Sequence, residues 1–343
     1  MYGDAVPVRV GFLGSGLIAG YHARSLGQSG AEFAWAGAYD PDLKRCVRFA
    51  EATGATACAS EDEVLDGCDA VYVCTWTSEH PRLVAAAAER GLAVFCEKPL
   101  AVDLDGARAM AAAVRSAGVV NQVGLVLRHS PAFALARAIV HDPEAGRRMA
   151  VLFRDDQYIP TQGMYASTWR GDPARAGAGT LIEHSIHDVD LLEHVVGPIE
   201  SVSARTSEFH GIDGIEDAVA VSVAFAGGAV GTLISVWHDM LDRPNMRRLE
   251  VISESGWACV ENDWTGPVSW SRPGQPAQVA EGDSLIAEVA RRGLTSGNPD
   301  GAFVAAVAAR TPTSPDLASA VRAHELVDAA YRSAAKGSIP IPV

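Results

Sequence analysis

Short apolar runs alternate with longer amphipathic segments through the first third of the chain. The runs are flanked by glycine and polar turns, and most are four to eight residues long, which is typical of buried strands. The segments between them have the length and spacing of helices. This alternation predicts an α/β fold in which a parallel, doubly wound sheet has helices on both faces. The predicted strands are residues 8–13, 33–39, 69–75, 92–99 and 119–127.

The pattern changes to a period of two after residue 150. Alternating apolar and polar positions predict strands that pair antiparallel and expose one face, and Ala-Gly-Gly-Ala at 226–229 predicts a hairpin connection. An exposed sheet face is a common site of self-association. We therefore expect a homodimer or homotetramer formed through this open sheet. The predicted strands lie within residues 150–160, 199–211, 217–228, 229–240 and 247–262.

Length and charge limit the classes of partner. The chain has 343 residues, 48% of them apolar, and a formal net charge of −14. Its length predicts two domains, and its charge argues against a nucleic-acid or anionic-membrane partner. None of the six cysteines forms a CxxC pair, and the start of the chain lacks the pattern of an export signal. We expect a cytoplasmic protein with no membrane partner.

A glycine turn after the first strand predicts a dinucleotide site. Gly14-x-Gly16-x-x-Ala19 follows the strand and opens a helix, so Gly14 allows the tight turn and Gly16 lets a pyrophosphate approach the backbone. Asp40 ends the next strand, where a carboxylate suits ribose hydroxyls and repels a 2′-phosphate. NAD is therefore favoured over NADP. The alternative is a structural glycine turn with a capping aspartate.

A helical segment of the second domain carries many titratable groups. On a helical wheel, residues 179–197 place an apolar stripe opposite a narrow arc of polar side chains. Three interpretations are open, namely a solvated face, a metal site and an acid/base site. A solvated face explains Asp188, Glu193 and His194, and we interpret Asp190 as structural. The polar arc consists of Glu183, His187, Asp190 and His194, with His184 and Asp188 on its flank.

The metal hypothesis is the weaker of the two functional ones. His184 and His187 are spaced i, i+3, but the sequence offers no HExxH pattern and no second cluster of ligands, so we predict no metal. A histidine with a pKa near neutrality can instead accept the hydroxyl proton of an alcohol during its oxidation. Glu183, one helical turn before His187, would orient the imidazole or bind a neighbouring hydroxyl.

Three further side chains are candidates for substrate contacts. Tyr158 and Trp169 could stack on a sugar ring, although core packing explains Trp169 equally well. Arg170 could bind an anionic group of a substrate or pair with Asp172.

Several motifs together resemble the Gfo/Idh/MocA family of oxidoreductases. The resemblance implies a Rossmann domain over residues 1–127 and a substrate and oligomerisation domain with a large open antiparallel sheet over 128–312. It also implies a C-terminal helix within 313–343 that packs back on the Rossmann domain. The motifs, in chain order, are GSGLIAGYHA, CTWTSEHP, VFCEKPLAVD, VGLVLRHSPAF, YASTWRGDPARAGAGTLIEHSIHDVDLLEHVVG and PDGAFVAAVAA.

The resemblance also implies an activity and assigns residues to it. The activity is NAD(P)-dependent hydride transfer to or from a secondary hydroxyl of a sugar, cyclitol or sugar derivative. Lys98 matches the EKP lysine beside the nicotinamide, and His187 matches the acid/base histidine. Glu183 replaces a common aspartate, which keeps the charge on a longer arm. The expected cofactor contacts are Gly14, Gly16, Leu17, Ile18, Asp40, Thr75, Trp76, His80, Glu97, Lys98 and Arg128, and the expected substrate contacts are Tyr158, Trp169, Arg170, Glu183 and His187.

Two alternative functions are compatible with the same residues. One is a redox-cycling glycosidase or lyase that holds NAD tightly and acts through a transient keto sugar. The other is a non-catalytic protein that senses a dinucleotide.

Overall fold

The computed structural model describes residues 6–343, so the first five residues of the predicted Rossmann domain lie outside the described range. The chain divides into two compact units. The first unit runs to Gly124 and includes Asn298–Val321, and the second comprises Leu125–Gly297 and Arg322–Val343. The expected boundaries differ from this division because residues 298–312 belong to the first unit.

The first unit contains a parallel sheet of six strands, as the alternating pattern predicts. The strand order is β3-β2-β1-β4-β5-β6, and the central strands are buried because helices cover both faces. Stacked rings of Phe12, Tyr72 and Phe95 on neighbouring strands form its centre, with ring centroids 4.7 and 4.6 Å apart. The strands are β1 (Val8–Leu13), β2 (Phe33–Tyr39), β3 (Thr56–Ala57), β4 (Ala70–Val73), β5 (Ala93–Cys96) and β6 (Asn121–Val123).

Helices of the first unit begin at side chains that cap them. Asp42, Ser60 and Asp103 accept hydrogen bonds from the backbone N–H groups of the first turns that follow them, which satisfies donors that have no partner within a helix. Asn298 caps the helix formed by the later segment in the same way. The helices are α1 (Leu17–Gly27), α2 (Leu43–Thr53), α3 (Glu61–Gly67), α4 (His80–Glu89), α5 (Leu104–Ala117) and α11 (Pro299–Ala309).

The second unit contains a sheet of nine strands in the order β14-β13-β12-β11-β7-β10-β9-β8-β15. Its pairs are antiparallel except for β7 and β10, which run parallel, so the predicted mainly antiparallel sheet is confirmed. The turn at 226–229 connects β9 and β10. The strands are β7 (Arg148–Tyr158), β8 (Ile199–Ser207), β9 (Ala218–Phe225), β10 (Val230–His238), β11 (Met246–Ser253), β12 (Gly256–Val260), β13 (Val268–Ser271), β14 (Gln278–Ala280) and β15 (Ile341–Pro342).

One face of this sheet packs on helices and the other is exposed. Along β7, Val151 and Phe153 are buried in the core of the unit, whereas Leu152 between them is 49% exposed. This is the alternation that a strand with one covered face requires. The helices are α6 (Pro131–Val140), α7 (Pro173–Ala176), α8 (Thr180–Glu183), α9 (Ile186–Val195), α10 (Gly282–Arg291) and α12 (Leu317–Ala335), in which the division between the units falls.

The last predicted strand of the first unit is shorter than expected. β6 ends at Val123, and the chain continues through a 3₁₀ turn over Val126–His129. No helix in residues 6–343 combines the length and apolar character that a membrane crossing requires.

Candidate active site

The turn between β1 and α1 has the properties of a phosphate site. Gly14 adopts φ +88°, and a Cβ there would lie 2.5 Å from the carbonyl oxygen of Cys74. A Cβ on Gly16, by contrast, would meet no atom of the described chain within 4 Å. Leu17 and Ile18 begin α1 and are 55% and 38% exposed. The start of the helix therefore presents its N–H groups to open space, where an anion can bind them.

Asp40 lies beside this turn. One carboxylate oxygen accepts the N–H of Ser15 at 2.9 Å, and the other accepts the N–H of Asp42 at 2.9 Å. The half-exposed guanidinium of Arg45 lies 3.4 Å away. Asp40 thus fixes the glycine turn as well as placing negative charge beside it.

The loops after β4 and β5 are held together by His80. This side chain is 1% exposed, with Nδ1 3.0 Å from the carbonyl oxygen of Pro99 and Nε2 3.3 Å from that of Thr75. Burial lowers the pKa of His80. His80 therefore positions the two loops, and the cofactor contact expected for it stays a prediction. Trp76, in the first of these loops, is 38% exposed.

Glu97 and Lys98 follow β5. Glu97 is 6% exposed, and its Oε2 accepts the backbone N–H of Lys98 at 3.2 Å. Its Oε1 lies 2.7 Å from Nε2 of His22, whose Nδ1 lies 2.7 Å from Asp300. The sequence analysis did not identify His22 or Asp300, although both lie in motifs that carry the family resemblance. Since 278 positions separate them, a sequence pattern gives no sign that they meet.

The helix predicted over residues 179–197 is broken. α8 ends at Glu183 and α9 begins at Ile186. The hydroxyls of Thr180 and Ser185 both bind the hydroxyl of Ser235 on β10, at 2.7 and 2.6 Å. These contacts come from β10 and not from residues next to the break. The local sequence therefore contains no glycine or proline that would predict it.

Glu183 and His187 lie on either side of the break. Both are buried, at 3% and 9% exposure. Oε1 of Glu183 accepts Nε of Arg170 at 2.5 Å, and the guanidinium lies 4.5 Å from the centre of the Trp169 ring. Arg170 therefore pairs with Glu183 and not with Asp172. No continuous helix connects Glu183 and His187, and the expectation that Glu183 orients the imidazole or binds a neighbouring hydroxyl stays a prediction.

A buried ionic cluster supports the start of α9. Arg247 on β11 contacts Asp155 and Asp188, each at 2.7 Å, and Asp263 at 2.5 Å. His184 contacts Asp155 at 2.8 Å. Asp188 is fully buried, so the prediction that it lies on a solvated face is wrong. Sequence analysis missed this cluster because its members come from separate strands and loops.

The pKa values of two acids in this cluster are shifted in opposite directions. Burial, together with the nearby charge of Asp155, raises the pKa of Asp188 far above its ordinary value. Burial would also raise the pKa of Asp155, but Arg247 and His184 outweigh it and lower that pKa. Arg247 therefore stabilises the charged form of Asp155, while burial opposes the charged form of Asp188.

Arg128 pairs with an acid of α9. It belongs to the second unit and donates two hydrogen bonds to Asp190, at 2.8 and 2.5 Å. This pair agrees with a structural Asp190, and the cofactor contact expected for Arg128 stays a prediction. His194 and Glu193 are half-buried, and Glu193 binds Arg322 at 2.9 Å, so the face predicted to be solvated is only partly exposed at these two positions.

Tyr158 packs beneath the loop that follows β7. It is 9% exposed, and its ring centroid lies 5.6 Å from that of Tyr165. Since side chains alternate along a strand, Tyr158 leaves β7 on the face opposite to Asp155. The structure thus groups Glu183, Arg170 and Trp169, and the substrate contact expected for Tyr158 stays a prediction. Residues 6–343 contain no group of three or more histidine, cysteine or acidic side chains that could hold a metal ion.

A parallel sheet with an open glycine turn, together with a unit built on a large open sheet, defines a two-domain oxidoreductase architecture. Two family models match the chain. One describes an oxidoreductase family with an NAD-binding Rossmann fold and covers residues 8–125, and the other describes the GFO/IDH/MocA C-terminal domain and covers residues 133–259. The chain belongs to the Gfo/Idh/MocA family, and its first unit is the NAD-binding Rossmann domain. The family, the fold class and the cofactor expected from the sequence are confirmed.

Two relatives agree with this membership, and a solved structure shares the fold. A 1,5-anhydro-D-fructose reductase of Ensifer adhaerens is 35% identical over 173 residues, 50% of each chain. A scyllo-inositol 2-dehydrogenase (NAD(+)) of Bacillus subtilis (strain 168) is 32% identical over 235 residues, 65% of this chain and 66% of the relative. The chain therefore matches between half and two thirds of their length. A levoglucosan dehydrogenase in complex with NADH shares the fold, with a TM-score of 0.84, 22% identity and coverage of 98% of this chain and 99% of its own.

Proposed function

We propose that the protein is an NAD-dependent oxidoreductase that transfers a hydride between the nicotinamide and a secondary hydroxyl or ketone of a sugar or cyclitol. One observation carries the proposal. The same unit has an open helix start at Gly16 and, at the end of β5, a lysine whose backbone is fixed by the buried Glu97. The relatives named above are reductases and dehydrogenases of sugars and inositols, which supports the substrate class.

The chain fits the cofactor through its backbone. The space beside Gly16 and the free N–H groups that start α1 suit a pyrophosphate, and the negative charge of Asp40 disfavours a 2′-phosphate, so NAD is preferred to NADP. When bound, the nicotinamide accepts the hydride in oxidation and supplies it in reduction.

Lys98 and His187 carry the proton chemistry. The ammonium of Lys98 donates a hydrogen bond to the reacting oxygen and stabilises its alkoxide character. His187 accepts the hydroxyl proton in oxidation and returns it in reduction, a role that suits an imidazole. Glu183 holds the guanidinium of Arg170, whose remaining N–H groups can donate to neighbouring substrate hydroxyls.

The proposal also covers self-association of the chain and its location in the cell. Leu152, Ile234 and Ile252 are exposed on the uncovered face of neighbouring strands β7, β10 and β11. A second copy of the chain would bury this face in a homodimer or homotetramer. A cytoplasmic location fits the six free cysteines.

A screen of inositols, aldoses and sugar nucleotides, with NAD and NADP in parallel, tests the function through NADH absorbance. Net NADH formation with a polyol is expected. A redox-cycling enzyme would instead release free sugar or aglycone without net NADH, and a sensor would do neither.

Variants of α9 test the acid/base assignment. His187→Asn is expected to lower kcat by about 10²–10⁴-fold, the usual contribution of general acid/base catalysis, while NADH still binds. His194→Asn, on the same helix, serves as the matched control and should retain kcat. A His187→Asn protein with unchanged kcat would contradict the assignment.

A further inference from the structure

A buried triad of titratable side chains joins three elements of the first unit. His22 on α1 is 0% exposed and lies 2.7 Å from Asp300, in the first turn of α11, and 2.7 Å from Glu97, at the end of β5. α1 starts at the glycine turn, and Glu97 immediately precedes Lys98. The triad therefore connects the dinucleotide turn with the loop that carries the lysine.

The geometry defines the charge of His22. Both ring nitrogens face carboxylate oxygens, which only accept hydrogen bonds when ionised, so both nitrogens carry hydrogen. Burial acts to lower the pKa of His22, but the hydrogen bonds and charges of Asp300 and Glu97 outweigh it and raise the pKa to about 9. His22 is thus an imidazolium between two buried carboxylates.

Glu97 is held at both of its oxygens. Oε1 binds His22, and Oε2 accepts the backbone N–H of Lys98 at 3.2 Å. A Cβ on Gly124 would overlap Oε1, which shows that the carboxylate packs directly against the backbone at the end of β6. The position of Glu97 is consequently set by His22 on one side and by the sheet on the other.

We propose that His22 is a positioning residue for Lys98 and acts through the Glu97 carboxylate. By fixing this carboxylate, His22 fixes the backbone from which the Lys98 side chain starts. Asp300 orients the imidazole by binding its other nitrogen. The catalytic consequence rests on the proposed function, because the position of Lys98 affects turnover only if its ammonium contacts the reacting oxygen.

Two variants separate positioning from general stability. In His22→Asn the shorter amide can replace only Nδ1 and bind Asp300, so Glu97 loses its partner. In Asp300→Asn a neutral His22 still donates to Glu97 and accepts a hydrogen bond from the new amide, so Glu97 stays in place. Both variants lose the buried ion pairs. If the triad served stability alone, hydrogen exchange and turnover would therefore change alike in both variants. His324→Asn, at a buried histidine of the second unit, controls for the loss of any buried imidazole.

The first measurement is hydrogen exchange at the Lys98 amide, followed by mass spectrometry of peptides spanning residues 96–101. We expect at least about tenfold faster exchange in His22→Asn, which corresponds to loss of a hydrogen bond, and wild-type exchange in Asp300→Asn and His324→Asn. Unchanged exchange in His22→Asn, or equal acceleration in both triad variants, overturns the proposal. This readout needs no substrate, so it decides the positioning role even if the wild-type protein oxidises no polyol and the proposed function fails.

The second measurement is turnover with a polyol that the wild-type protein oxidises. Displacement of a catalytic group by about 1 Å can cost about 10²-fold in rate, so kcat should fall by about that factor in His22→Asn. KM for the polyol and Kd for NADH should change less than about threefold, and Asp300→Asn should stay close to the wild type. A His22→Asn protein with faster exchange but unchanged kcat overturns the catalytic part of the proposal.

Discussion

The two glycines of the first turn make a sharp test of the cofactor site. In Gly16→Ala the new methyl group meets no atom of the described chain within 4 Å, and the backbone at φ −77° suits alanine. Unfolding stability should therefore change by less than about 0.5 kcal/mol. The methyl group would occupy the space in which a pyrophosphate approaches the backbone, so Kd for NADH should rise at least about tenfold, or about 1.4 kcal/mol.

Gly14→Ala should behave in the opposite way. Its φ of +88° costs an L residue roughly 1–3 kcal/mol, and its Cβ would overlap the carbonyl group of Cys74. Stability should fall markedly, and NADH binding should weaken because the turn deforms. Thermal unfolding and fluorescence titration with NADH measure the two effects separately.

Gly27→Ala is the matched control. It ends the same helix, and its Cβ would also meet no atom of the described chain within 4 Å. Both stability and NADH affinity should remain near wild type. The reasoning is refuted if Gly16→Ala binds NADH as tightly as the wild-type protein, or if Gly27→Ala loses the same affinity.

Three further predictions concern charge. Asp40→Asn should reduce the preference for NAD over NADP by about tenfold, and parallel titrations with both cofactors measure this, with an unchanged ratio as the contrary result. Arg247→Met should lower the free energy of unfolding, measured in urea, by about 3–5 kcal/mol, because it leaves buried acids without their cation. Arg90→Met, at the surface, is the control and should leave the unfolding midpoint unchanged. The pKa of His22 is about 9 in the folded protein and 6.5 in the unfolded chain. At about 1.4 kcal/mol per pKa unit, protonation of His22 therefore contributes up to about 3 kcal/mol to the free energy of unfolding. This contribution is complete below pH 6.5 and declines as the pH rises through about 9. Urea unfolding from pH 6 to 10 should show this decline in the wild type and not in His22→Gln, and identical pH profiles would contradict it.

The sequence predicts what depends on local patterns. Alternating apolar runs identify both sheets, and the glycine turn identifies the start of α1, because these features need only neighbours in the chain. Arg128 lies beyond the end of the parallel sheet, because the strand before it ends at Val123 and a 3₁₀ turn carries it into the second unit. Local hydrophobicity does not indicate that ending.

Long-range contacts account for the rest of the site. The break before His187 depends on Ser235, fifty positions from Ser185, and on the ionic cluster around Arg247. A helical wheel assumes that the helix is continuous and that its polar side is exposed. Here the helix is broken, and residues of the sheet bind the polar side chains and bury them. Asp188, which the wheel assigns to solvent, is fully buried for this reason.

The return of Asn298–Val321 to the first unit has a consequence for the order in which the protein acquires its structure during synthesis. All six strands of the parallel sheet are complete by Val123, yet Asp300 emerges from the ribosome only after the strands of the second sheet up to β14 have been made. Until then Glu97 is the only carboxylate of the triad beside His22, and His22 lacks the hydrogen bond to Asp300 that orients its imidazole. The nucleotide-binding unit therefore reaches its final form late in translation, and a fragment that ends at Gly124 would have its strands without its finished site.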